Sequence, residues 1–125
     1  MNFTISIDHE KKIVCYKHTG KIKIQNLGMA WDQILQLEEF TSKKYNLLSD
    51  YRQATFDMEI DQVQEIIDIL QEMGPVLHGK KQSIIVTDPY STAGSILFEQ
   101  LSMQELEFKI KIFSTKKAAI EWLQL

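Results

Sequence analysis

Two short polar segments of this sequence carry the side chains best suited to chemistry. One contains Asp50 and Arg52, and the other is Asp88-Pro89-Tyr90-Ser91-Thr92; each directly follows an apolar run. Ligands of open α/β sheets bind beside the carboxyl ends of strands, so we expect both segments at one edge of a sheet. A helix start at Asp88–Thr92 would offer an anion such as phosphate its free backbone N–H groups, with Arg52 across the cleft. The same residue types also cap helices, and a structural cap is the simpler interpretation.

Asp50 and Asp88 are candidates for a general acid and base, because carboxylates at adjacent strand ends perturb each other's pKa when they lie close. Asp50 is also two residues from Arg52, and residues two apart share one face of a strand. A local ion pair between Asp50 and Arg52 is the simpler interpretation of these charges. We therefore expect no catalytic residue here.

Several enzyme and metal-site patterns are absent from the sequence. It has no GxGxxG, GxxxxGK[ST] or GxSxG segment. The single cysteine, Cys15, lies among apolar residues of a predicted strand, where a thiol packs as a small hydrophobe. The three histidines, His9, His18 and His78, have no spacing that would place two on one face beside a carboxylate or thiol. We expect no metal, no cofactor and no enzymatic activity.

Composition and charge are those of an ordinary globular domain. Hydrophobic residues make up 44% and charged residues 25% of the 125 residues, which suffices for one core. The net charge is -3 and the lysines are scattered in pairs, so nucleic acid is disfavoured as a partner. No apolar run reaches the roughly 20 residues that span a bilayer, and the N-terminus lacks a signal-peptide pattern. We expect a single cytoplasmic domain over residues 1–125 without a membrane span.

The spacing of apolar residues predicts the secondary structure, with period-two alternation typical of strands and spacings of three and four typical of helices. The predicted strands are 3–8, 12–19, 46–51, 83–87 and 108–112. The predicted helices are 24–39, one that starts at 57–61 and ends near 73, 93–101 and 118–123. The continuous apolar run at 83–87 favours a central strand buried on both faces. The order ββαβαβαβα predicts an α/β fold with a mixed, mostly parallel sheet, an N-terminal antiparallel hairpin and crossover helices.

Three local segments, together with this order, resemble the STAS and SpoIIAA-like domains. They are Thr19-Gly20-Lys21-Ile22, Leu47-Leu48-Ser49-Asp50-Tyr51-Arg52, and the stretch 112–123 with its closing Trp122-Leu123. The resemblance implies a SpoIIAA-like fold and a regulatory role through protein–protein contacts. A looser likeness of architecture to Sec14-type lipid carriers implies a small apolar ligand as an alternative.

The segment that follows the third strand differs from that of phospho-switched anti-sigma antagonists. Those domains carry an Asp-Ser-Ser/Thr-Gly type sequence there, whereas this chain has Ala54-Thr55-Phe56-Asp57-Met58-Glu59. Thr55 is the only hydroxyl in this segment and is the candidate modification site. A phosphate on Thr55 would face Asp57 and Glu59 instead of an arginine cluster.

The third predicted helix carries more apolar residues than one core-facing stripe needs: Ile96, Leu97, Phe98, Leu101 and, just beyond, Met103. This surplus fits a tighter interior, a homodimer contact or a wall for a lipid-like ligand. Our leading hypothesis is a non-enzymatic regulatory or scaffolding domain that binds another protein through the strand-end loops and this helix. The alternative is a binding module for a small apolar or anionic ligand. The candidate binding residues are Asp50, Arg52, Asp88, Tyr90, Ser91, Thr92 and Phe98.

Overall fold

A computed structural model of the protein describes residues 2–125 and contains five strands and five α-helices over that range. The strands are β1 (Phe3–Asp8), β2 (Ile13–Ile22), β3 (Asn46–Phe56), β4 (Lys81–Ile85) and β5 (Lys109–Phe113). The helices are α1 (Ile24–Leu35), α2 (Glu38–Thr41), α3 (Ile60–Glu72), α4 (Pro89–Glu105) and α5 (Lys116–Leu123). The predicted order is confirmed, with α2 as an additional short helix where the first predicted helix was expected to end.

All five strands form one sheet in the order β1-β2-β3-β4-β5. The β1–β2 hairpin is antiparallel, and every other neighbouring pair is parallel, as the sequence predicts. The predicted central position of β4 is wrong, because β3 is the middle strand and β4 lies beside the edge strand β5. β4 is nevertheless covered on both faces, since Ile84 belongs to the core on one side and Ile85 to the core on the other. β4 has a continuous apolar run because both of its faces are buried, and not because it is the middle strand of the sheet.

Two apolar clusters hold the helices against the sheet, since burial of apolar surface is the main force for folding. The larger cluster joins strand residues to α1, α2 and α3, and its members include Val14, Tyr16, Leu47, Leu27, Trp31, Ile34, Phe40, Ile66 and Leu70. The smaller cluster lies on the opposite face under α5 and consists of Ile13, Leu48, Ile85, Ala119 and Leu123. Most helices therefore pack on one face, and α5 alone covers the other.

β2 and β3 both extend further than the apolar pattern predicts. β2 continues through Gly20, whose φ of 80° lies in the left-handed region that glycine tolerates. β3 continues to Phe56, so Asp50 and Arg52 lie inside a strand and not at its end. The two strands pair alone beyond the end of β4, where one face is less covered and polar residues such as Gln53 are exposed. Because these residues are polar, the sequence pattern predicts a strand that ends at residue 51, whereas β3 continues to Phe56.

A β-bulge interrupts β3 at the point where this extension begins. Lys17 pairs with Asp50 and Thr19 pairs with Gln53, so β3 has one more residue than β2 between the two pairs. An extra residue in one strand leaves ladder groups unpaired. Asp50 Oδ1 accepts the backbone N–H of Arg52 at 3.1 Å, which gives this group a partner at the bulge.

Gly28 and Gly94 both lie inside helices and form a matched pair for a stability test. A Cβ added at Gly28 meets nothing within 4 Å, whereas one at Gly94 lies 3.3 Å from Phe56 Cδ2. Gly28→Ala should raise the free energy of unfolding by about 0.8–1 kcal/mol, because alanine favours the helix. Gly94→Ala should gain less, because the Phe56 ring has to move. Urea unfolding measures both, and equal gains would contradict the close packing of α4 on Phe56.

Asp50 and Arg52 provide a second test, directed at the bulge. Asp50→Ala should lower the free energy of unfolding by about 1–3 kcal/mol, because the Arg52 backbone N–H loses its partner. Arg52→Ala keeps that hydrogen bond and removes an ion pair whose side chains are 41% exposed for Arg52 and 11% for Asp50, so we expect a smaller loss than for Asp50→Ala. Chemical unfolding at neutral pH compares the variants. Equal losses would show that the bulge does not depend on the carboxylate.

The same carboxylate gives this test a pH dependence. Hydrogen bonds from Arg52 hold the pKa of Asp50 below its ordinary value. Its stabilising contribution is therefore present above the unfolded pKa of about 3.9 and is lost as the pH falls through the lower folded pKa. The stability difference between wild type and Asp50→Ala should shrink over that acidic range. A constant difference down to the acid transition would be the opposite result.

Candidate functional site

The segment Asp88–Thr92 forms the start of α4 and caps it. Asp88 Oδ2 accepts the backbone N–H of Ser91 at 2.9 Å, and the Asp88 carbonyl accepts the backbone N–H of Thr92 at 3.0 Å and its hydroxyl at 2.8 Å. The Tyr90 hydroxyl donates to the Met58 carbonyl at 2.7 Å, which links α4 to the loop before α3. The polar groups at this helix start therefore have partners within the chain, as in a structural cap.

Asp50 and Arg52 form the ion pair expected from their spacing. Arg52 Nε donates to Asp50 Oδ1 at 2.9 Å, and Nη2 donates to Oδ2 at 2.7 Å, a bidentate geometry. Asp50 is level with Ile85, the last residue of β4, and the Thr87 hydroxyl donates to the Arg52 carbonyl at 3.5 Å. The pair thus borders the loop that leads into α4, with both its charges engaged by each other.

α4 turns three serines toward the sheet, where an amphipathic helix ordinarily places mainly large apolar residues. The residues of this helix that are at most 1% exposed are Ser91, Ser95 and Ser102. The Ser91 hydroxyl accepts the backbone N–H of Phe56 at 3.0 Å, so it fixes α4 to the end of β3. The Ser102 hydroxyl donates within the helix to the Glu99 carbonyl at 2.7 Å. Phe98 shares this face and packs against the core, whereas Ile96, Leu97 and Met103 lie on the flanks of the helix.

One flank of α4 runs along the edge strand β5. Ile96 and Met103 are seven residues apart, on the same side of the helix, and are 42% and 77% exposed. Ile96 lines a cleft of about 550 Å³ together with Ile112, and Met103 lines another of about 550 Å³ together with Ile110. We call these four residues the α4–β5 surface. This strip follows the open edge of the sheet; its exposed members are Ile96 and Met103, which line separate clefts, whereas Ile110 is only 4% exposed.

A second cleft lies between α3 and the other flank of α4. Its outer compartment, of about 170 Å³, opens between Ile60, Tyr90 and Leu97. Its inner compartment, of about 30 Å³, extends down to Gln82 of β4 and Ser95 of α4. The walls common to both compartments are Phe56, Met58, Val63 and Gly94. We call the two compartments together the α3–α4 cleft.

Two buried polar atoms in the inner compartment lack hydrogen-bond partners. Gln82 Oε1 and Ser95 Oγ bond to no other group among residues 2–125, although Gln82 and Ser95 are only 2% and 1% exposed. Gln82 Nε2 donates to Ser49 Oγ at 2.9 Å, so the carbonyl end of the amide is the end left over. A buried polar atom without a partner costs about 1–3 kcal/mol, and native structures contain few of them. Sequence reasoning missed both residues. A glutamine just before a buried apolar run is unusual, and this position of Gln82 was a signal that could have found it.

Side-chain hydrogen bonds link α4 to α3 and to the loop before α3. Near the start of α4, Tyr90 donates to the Met58 carbonyl. At the end of α4, Gln64 Nε2 donates to Glu105 Oε2 at 3.1 Å, and Gln71 Nε2 donates to the Glu105 carbonyl at 3.3 Å. Between these bonds, the α3–α4 cleft is lined mainly by apolar side chains.

The remaining predicted residues lie in separate places. Thr55 is exposed in β3, directly opposite Lys21 of β2. Phe98 is partly buried and lines the inner compartment of the α3–α4 cleft. Cys15 is half-buried against the smaller core cluster, and burial raises the pKa of its thiol. The predicted candidates are thus divided among the bulge, the helix cap and the cleft.

Two other kinds of site were sought in the part of the chain that the structure describes. No three His, Cys, Asp or Glu side chains are grouped there as a metal site requires. No helix in residues 2–125 has the length and apolar character needed to cross a membrane.

Comparison with known proteins gives a match at the level of fold. No family model and no curated protein matches this chain. A similar solved structure is that of an uncharacterized protein of the DUF3478 family, with a SpoIIAA-like fold, from Shewanella loihica PV-4. The two are 15% identical, with a TM-score of 0.63 over 98% of this chain and 94% of the other. The resemblance inferred from the three local segments is confirmed for the architecture: the chain has a SpoIIAA-like fold.

Proposed function

We propose that this domain is non-enzymatic and acts in regulation or scaffolding by binding another protein through the α4–β5 surface. The observation that carries the proposal is the burial pattern of α4. The helix buries serines against the sheet and leaves Ile96 and Met103 exposed at the open edge of the domain.

The chemistry of this surface suits a protein partner. Ile96 and Met103 are exposed on the same side of α4, and exposed apolar patches on a small domain mark interaction sites. Charged side chains border the strip, because Glu99 and Lys111 line the same cleft as Ile96. An apolar centre with a polar rim is the usual anatomy of a protein interface. The exposed Lys109 and Lys111 on β5 also disfavour simple strand addition at this edge, so we expect the partner to pack on side chains.

The polar candidates support a role without catalysis. Asp88 caps α4, and Asp50 and Arg52 neutralise each other at the bulge of β3. Each of these groups is accounted for by the stability of the fold. None of them needs a substrate to satisfy it.

Photo-cross-linking tests the surface directly. Benzoylphenylalanine at position 96, expressed in the source cells, should cross-link a partner protein, and the same probe at the exposed position 121 of α5 should not. The double variant Ile96→Ser and Met103→Ser should reduce capture of that partner about tenfold or more, since truncating central apolar contacts costs roughly 1–2 kcal/mol each.

A matched double variant controls for general loss of apolar surface. Ile60→Ser and Ile69→Ser change residues that are 78% and 46% exposed and lie away from β5, so capture should remain unchanged. Equal loss of capture in both double variants would overturn the assignment of the surface. A cross-link only to a second copy of the chain would assign the surface to a homodimer and contradict the regulatory partner.

A further inference from the structure

Beyond protein binding, we propose that the α3–α4 cleft is a site for a small, uncharged amphipathic molecule. Its hydrogen-bonding head group would bind Gln82 and Ser95 in the inner compartment. Its apolar body would fill the outer compartment between α3 and α4.

The head group is defined by the two unpartnered atoms. Gln82 Oε1 accepts hydrogen bonds, and the amide is held in place by the bond between Nε2 and Ser49 Oγ. Ser95 Oγ both donates and accepts. A hydroxyl group satisfies both residues at once, since it donates to Gln82 and accepts from Ser95. A primary amide offers the same combination.

The charges around the cleft exclude an ionic head group. No lysine, arginine or histidine of residues 2–125 lines either compartment, and the one charged residue in the lining is Glu59 of the outer compartment. Burying a carboxylate or phosphate without a cation is strongly unfavourable. The sequence left both an apolar and an anionic ligand open. The cleft fits an uncharged ligand and not an anionic one.

The walls and volume set the size of the apolar body. The outer compartment of about 170 Å³ is lined mainly by apolar side chains, among them Phe56, Val63 and Leu97. An apolar cavity of about 150 Å³ holds a benzene molecule. A body of about six carbon atoms is thus the right size. The exposed Ile60 and Tyr90 at the opening give such a molecule a route from solvent.

The test is a titration of the ¹⁵N-labelled protein with 1-hexanol, followed by amide chemical shifts at pH 7.5. We expect saturable shifts at Gln82, Gly94 and Ser95, and at least tenfold weaker binding of hexanoate, which is charged at this pH. Shifts that do not saturate, or equal binding of hexanoate, would overturn the proposal. The solution contains this chain alone, so the result is independent of any protein partner.

Ser95→Ala separates ligand binding from a structural role of the hydroxyl. The variant should bind 1-hexanol about three- to tenfold more weakly, as expected for one neutral hydrogen bond. Its melting temperature without ligand should stay equal or rise, because an unpartnered buried hydroxyl is removed. Ser102→Ala, in which the lost hydroxyl is bonded inside the helix and lies outside the cleft lining, should bind 1-hexanol as the wild type does. Equal affinity of the two variants would refute the head-group assignment.

A second variant keeps the proposal testable if Ser95→Ala does not fold. Gly94→Ala places a methyl group against Phe56 where the two compartments meet, so it should weaken 1-hexanol binding, whereas Gly28→Ala should not. A crystal structure with 1-hexanol should show the hydroxyl beside Gln82 and Ser95. A water molecule alone between these residues, with the alcohol elsewhere, would overturn the site.

Discussion

The parallel pairing of β2 with β3 is the interaction on which the other elements depend. The two strands remain hydrogen-bonded from Ile13 and Asn46 to Ile22 and Phe56, well beyond the point where β4 ends. The end of this extension is where the helices attach. The backbone N–H of Phe56 bonds to Ser91 of α4, and the backbone N–H of Asp57 bonds to the Ile22 carbonyl at 2.8 Å just before α3. A shorter β3 would leave the starts of both helices without these anchors.

Helices and strands that are determined by their local sequence could be predicted. The β1–β2 hairpin follows from alternation, and α3 follows from its apolar stripe. The length of β3 could not be predicted, because it depends on how far β2 accompanies it past a polar stretch. Pairing partners are set by tertiary structure, and the local pattern around Arg52 and Gln53 carries no trace of them.

The apolar pattern of the sequence did not reveal which face of α4 packs on the sheet, and this had the largest effect on the predicted binding site. Apolar residues such as Ile96 are normally expected to face the core, and here the helix faces the sheet with Ser91, Ser95 and Ser102. Gln82 and Ser95 are close only because β4 and α4 pack together, so their shared compartment is invisible in either segment alone. The polar strand-end residues, which attracted attention in the sequence, became parts of a bulge and a helix cap. The two surfaces that we propose for binding are the two flanks of α4.

The contact between α3 and α4 is held by a different type of interaction from the one that holds the sheet beneath it. No backbone-to-backbone hydrogen bond joins the two helices within residues 2–125, and their polar links are side-chain bonds near Tyr90 and Glu105. Separating the helices would therefore break side-chain contacts but no backbone hydrogen bond between them. Gln64 and Gln71 of α3 bond to Glu105, and Tyr90 bonds to the Met58 carbonyl just before α3, so the helix pair is held by side-chain bonds. The sheet is thus held by backbone pairing, whereas the contact between the two helices above it depends on side chains alone.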